Sequence, residues 1–117
     1  MDMLQVSALL FALAAAGGIG MAVIRLRGDR NPPVWLAMLH GMIATAGFTL
    51  LAYAAWAVAV PALALVALLL FAAAALGGGY MNLRFHWRSE LLPRSYVWGH
   101  AALAATGFVL LLVAIFT

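Results

Sequence analysis

Cysteine is absent from the 117 residues, so neither a disulfide framework nor a thiolate metal site is open to the chain. Charge is scarce as well. Only 8% of residues are charged against 68% hydrophobic, far outside the range of soluble globular domains, and the length allows one domain. Lysine is missing, and the six cations are all arginine, three between Arg25 and Arg30 and three between Arg84 and Arg94. Confinement to two short segments between apolar runs is the mark of membrane topology signals rather than of a nucleic-acid face, so no nucleic-acid partner is expected. The three acids, Asp2, Asp29 and Glu90, stand near a terminus or between apolar runs. With no carboxylate inside a run, a proton-coupled exporter lacks its usual signature. No Ser/His/Asp set is spaced for a hydrolase, and Gly77-Gly78-Gly79 lacks the lysine and preceding strand of a phosphate loop.

What is present is four apolar runs, each near the ~20 residues needed to cross a bilayer. They are expected as helices over Leu4–Ile24, Val34–Ala59, Ala62–Leu83 and Ser95–Phe116. The first begins beside Asp2 with no basic residue before it and runs too long for a secretory h-region, so it reads as a retained span. Arg25 to Pro33 forms a charged turn closed by two prolines, Pro61 marks a tight apolar hairpin, and Arg84 to Arg94 is a second basic loop. The positive-inside rule puts both arginine loops in the cytoplasm and both termini outside, in a bacterial-type inner (cell) membrane. Trp35, Trp87 and Trp98, with Tyr53 and Trp56 at the other face, read as interfacial anchors.

Residues 1–57 align with 61–117 without a gap. Phe11, Gly17, Gly18, Met21, Pro33, His40, Gly47 and Phe48 each meet an identical residue sixty positions on. The chain therefore reads as an all-α integral membrane four-helix bundle, with helical hairpins at 1–60 and 61–117. Each copy crosses an even number of times, so the two point the same way and predict a pseudo-two-fold axis along the membrane normal.

Within the repeat, His40, Ala44 and Gly47 share one helix face, and His100, Ala104 and Gly107 its counterpart. At ~1.5 Å rise per residue both His lie roughly 9 Å inside the arginine end, and Gly17, Gly18, Gly77, Gly78 and Gly79 reach a similar depth. Two explanations compete. Small residues let membrane helices approach closely, with each His bonded across the bundle to a carbonyl or to a hydroxyl such as Thr45 or Thr106. Alternatively they clear a slot for a planar cofactor whose metal is met by one imidazole from each copy.

The second is adopted as the expectation: one haem b held by His40 and His100, flanked by Gly17, Gly18, Gly47, Gly77, Gly78 and Gly107. Arg25, Arg84 and Arg94 stand at the end suited to pairing haem propionates. Two His without a third ligand make a poor zinc site. The pattern is similar in general design to small membrane b-type cytochromes, though it lacks the four membrane His of a two-haem bundle. With both axial positions filled, electron transfer with a quinone or quinol, or with a partner redox subunit, is the expected role. The rival is a non-catalytic subunit or small transport module, in which the His/Gly layer serves packing or a polar path. Association with itself or with a larger membrane complex is expected of so much exposed apolar surface. His86, in a basic aromatic loop, is expected to meet water or lipid phosphate.

Overall fold

The computed structural model describes all residues from Met1 to Thr117. It is all helical: α1 (Met3–Arg27), α2 (Val34–Ala57), α3 (Ala62–Met81) and α4 (Arg94–Phe116), with a π-helical turn, Asn82–His86, extending α3. All four helices are long and apolar enough to cross a membrane. The molecule measures 44 × 20 × 19 Å, its long axis matching the ~40–45 Å of a bilayer with its headgroups. Only 11–22% of each span is buried within the protein, so most of the helical surface faces lipid in a multi-pass membrane protein.

Local chemistry sets the helix starts. At α1 the Asp2 carboxylate accepts from the Gln5 backbone N–H at 2.9 Å, and the Gln5 side chain accepts from the Asp2 N–H at 3.0 Å. This reciprocal box satisfies two donors that a helix start leaves free. The other three helices begin directly after Pro33, Pro61 and Pro93, whose fixed φ turns the chain from extended into helical backbone. The expected spans hold to within three residues, with two differences. α1 continues to Arg27, and the third span passes through the π turn to His86 instead of ending near Leu83.

α1 packs chiefly on α2, and α3 on α4; the hairpins then meet through α1 against α4 and α2 against α3. The half of the bundle nearer the termini carries the apolar core. Phe11 and Phe71 stack at its centre, ring centroids 3.7 Å apart and nearly parallel, with Leu51, Leu111, Ala8 and Ala67 around them. Gly47 lies against Leu10 and Phe11, and Gly107 against Leu70 and Phe71, close enough that a Cβ at either would sit 3.3–3.4 Å from those side chains. Ser7, fully buried, donates to the Gly47 carbonyl at 2.8 Å. Position 67, sixty residues on, is alanine.

At the opposite end the two arginine-bearing loops clasp each other. Buried Arg25 donates from Nε to the Leu92 carbonyl (2.8 Å) and from its terminal nitrogen to Gly28 (3.0 Å). His86 bonds through Nε2 to the Pro32 carbonyl at 2.7 Å. Asn31 bridges further, donating to the Glu90 carbonyl and accepting from the Leu92 N–H. The expected exposure of His86 to water or lipid is thus not seen: the residue is 7% exposed, because the π turn carries it under the first loop.

Candidate functional site

Between the phenylalanine layer and the loop clasp, α2 and α4 bring His40 and His100 together. Their ring centroids are 6.2 Å apart and their planes are inclined at 72°. Each ring is held by the neighbouring helix of its own hairpin, His40 Nδ1 to the Ala14 carbonyl at 2.7 Å and His100 Nδ1 to the Ala74 carbonyl at 2.8 Å. A carbonyl only accepts, so each Nδ1 carries the proton; in a neutral imidazole the lone pair then belongs to Nε2. Thr45 and Thr106 play no part in this. Each turns back to the carbonyl four residues earlier on its own helix.

The glycines divide into groups. Gly18 and Gly78 seat the imidazoles: a Cβ at either position would stand 3.0 Å from the ring Cε1. Gly17 lies behind the His40 Cβ at ordinary contact distance, while Gly77 and Gly79 have open space where a Cβ would be. Gly47 and Gly107 belong to the phenylalanine layer and touch neither ring. Between the phenylalanine layer and the loops, the buried helix positions are only Ala14, Ala74 and Met81, apart from Arg25 and His86 in the clasp itself. Both His rings remain partly uncovered even though they face each other across the bundle.

Of the three arginines, Arg25 is consumed by backbone carbonyls, Arg84 pairs with Glu90, and Arg94 pairs with Asp29 at 3.4 Å. The last two are exposed pairs of little energetic weight, free to exchange partners, whereas Arg25 is structural. Two features were not singled out from sequence. The backbone acceptors at Ala14 and Ala74 have no residue-type signal. The aromatic group of Tyr80, Phe85 and Tyr96, with ring centroids 5.9–6.1 Å apart, had one in its departure from the repeat, since positions 20 and 36 are Gly and Leu.

The donor set can be tested against the metals it would suit. No cluster of three or more His, Cys, Asp or Glu exists, so a metal here would draw two ligands from protein and the rest from elsewhere. A macrocycle supplies four in a plane and leaves two axial positions, which is the number present. Two axial rings across one ion would have centroids roughly 6.3 Å apart, from a metal–nitrogen bond of about 2 Å and about 1.1 Å from nitrogen to ring centre on each side. The observed 6.2 Å matches that spacing, and it is equally the separation of two rings in edge-to-face contact, the arrangement in which this pair lies. No family model, curated protein or solved structure matches the chain, so the reading of this site rests on its own residues.

Proposed function

We propose that the protein is a small b-type cytochrome of the cell membrane, with one haem between His40 and His100, serving electron transfer with a quinol or a partner redox subunit. The observation that carries this is the paired imidazoles at 6.2 Å, each fixed through Nδ1 by a carbonyl so that Nε2 is the nitrogen left for a metal. Binding of the second ring nitrogen is the usual way a ligating His is oriented and made more basic. Bis-imidazole haem supplies one-electron chemistry, with no open iron position for oxygen.

The chain's own groups have distinct tasks in this reading. Ala14 and Ala74 orient the rings through their carbonyls, Gly18 and Gly78 let the rings lie flush on α1 and α3, and the Phe11–Phe71 stack floors the layer. Arg84 and Arg94 are the arginines able to turn toward propionates, because their present partners are weak. The recurrence of the His, Gly and Phe contacts sixty residues apart supports a duplicated hairpin with an axis along the membrane normal. Both arginine loops are assigned to the cytoplasm and both termini to the outside.

The test is an absorption spectrum of the protein purified from haem-replete cells. A low-spin haem spectrum that is lost in His40→Ala and in His100→Ala is expected; a folded, colourless wild type overturns the proposal. One observation favours the rival packing role, namely that each Nδ1 already satisfies a backbone carbonyl. Under that role Asn, which retains an N–H donor, substitutes at both positions with assembly unchanged.

A further inference from the structure

The second hairpin carries a groove beside His100. It has a volume of about 350 Å³ and is lined by Gly77, Tyr80, Met81, Tyr96, His100 and Leu103. At the equivalent places the first hairpin has Gly17, Gly20, Met21, Leu36, His40 and Ile43, so what distinguishes the groove is the two tyrosines. Their ring centroids are 6.1 Å apart, and they are 53% and 46% exposed. An interfacial belt explains a tyrosine near a helix end. It does not explain two tyrosines in tilted contact with each other, both lining a groove whose wall includes a bundle histidine.

We infer that this groove binds the headgroup of an isoprenoid quinone. The volume lies at the small end of ligand sites and suits one substituted ring. Aromatic walls favour a flat partner, and two phenolic O–H groups are donors for carbonyl oxygens. Apart from the imidazole no titratable cation lines the groove, so a phosphate headgroup finds no charge there. The groove lies on a molecule whose surface is mostly lipid-facing, which leaves a hydrocarbon tail in the bilayer. As an electron-carrier site its purpose rests on the haem reading, because His100 is both groove wall and proposed axial ligand; its occupancy does not.

The experiment titrates a decyl-tailed benzoquinone into wild-type protein in phosphatidylcholine nanodiscs. Tryptophan quenching is read against empty discs, and the visible spectrum is recorded on the same samples. Gly77→Leu adds bulk where nothing stands within 4 Å of a Cβ, so it fills the groove without crowding the backbone. Gly41→Leu, equally unhindered, adds the same bulk to an exposed face elsewhere. Saturable wild-type binding is expected, weakened tenfold or more by Gly77→Leu and unaltered by Gly41→Leu. Joint Tyr80→Phe and Tyr96→Phe substitution should weaken it severalfold while keeping both rings.

No saturable binding, or a smaller effect of Gly77→Leu, overturns the inference. Full affinity in the double tyrosine variant also overturns it, by pointing to an acyl chain instead of a quinone. Loss of the haem spectrum in Gly77→Leu overturns it too, because the macrocycle would then occupy the groove. A colourless wild type whose quinone binding still depends on Gly77 sinks the haem reading alone.

Discussion

Replacing Gly18 by alanine tests the placement of the imidazole directly. The new Cβ would stand 3.0 Å from His40 Cε1 and 3.4 Å from Nδ1. Carbon atoms settle at about 3.5–4.0 Å, so the ring must withdraw by about half an ångström or more. It is not free to do so, because Nδ1 is tethered to Ala14 on the same helix at 2.7 Å. Overpacking of this kind costs about 1–3 kcal/mol, and a weakened interhelical hydrogen bond in a membrane protein adds roughly 0.6 kcal/mol. Alanine returns up to about 1 kcal/mol of helix propensity. The expected net loss is about 1–2 kcal/mol. Gly78→Ala should behave alike, since its Cβ meets His100 Cε1 at the same 3.0 Å. Gly20→Ala and Gly79→Ala are the controls, because nothing lies within 4 Å of either and only the propensity gain applies. Unfolding in mixed micelles, followed by helicity on titration with sodium dodecyl sulfate, reads all four. Stability of Gly18→Ala equal to that of Gly20→Ala would refute the seating of the ring on α1.

Arg25→Leu should destabilise the protein by roughly 2–4 kcal/mol in the same assay, because the Leu92 and Gly28 carbonyls lose their donor. Arg25→Lys should recover little of that, since one ammonium cannot reproduce the fork that reaches both acceptors. Ser7→Ala should cost only about 0.6 kcal/mol, the membrane average for such a bond, and it makes the first hairpin match the second, where residue 67 is already a buried alanine; a loss above 2 kcal/mol would show that the bond is central to α1–α2 packing. Because the chain has no cysteine, one introduced at Gly28 and another at Val58 should label from opposite sides of right-side-out vesicles, Val58 from outside. Labelling of Gly28→Cys by an impermeant reagent in intact cells would reverse the assigned orientation.

Hydropathy located the four helices because lipid demands an unbroken apolar run, and the prolines fixed three helix starts. The pairing of His40 with His100 was legible because both residue types recur in one register. The layer assignment of Gly47 and Gly107 was not. Positions seven apart share a helix face but differ by about 10 Å along its axis, so a stripe on one face crosses two layers, and these glycines serve the phenylalanine stack. The acceptors at Ala14 and Ala74 left no trace in sequence because every residue carries the same carbonyl. The burial of His86 depended on a π turn, which ordinary helical spacing does not anticipate.

That π turn also accounts for the form of the loop clasp. The two acceptors, Pro32 and Leu92, are sixty residues apart and correspond in the repeat, but their donors, Arg25 and His86, are sixty-one apart. A π turn carries one residue more than the α-helical turn it replaces, which delays everything after it by one position. His86, not Phe85, therefore arrives where Arg25 stands in the other hairpin, and each loop receives a side-chain donor from the helix end opposite it. His86→Ala keeps the π turn but removes the donor, leaving the Pro32 carbonyl without its bond. That substitution should open the clasp to protease between Gly28 and Asn31, while the haem spectrum proposed for the His40–His100 layer, which lies deeper on α2 and α4, is kept. Loss of both together would mean that the clasp sets the helix spacing on which the imidazole pair depends.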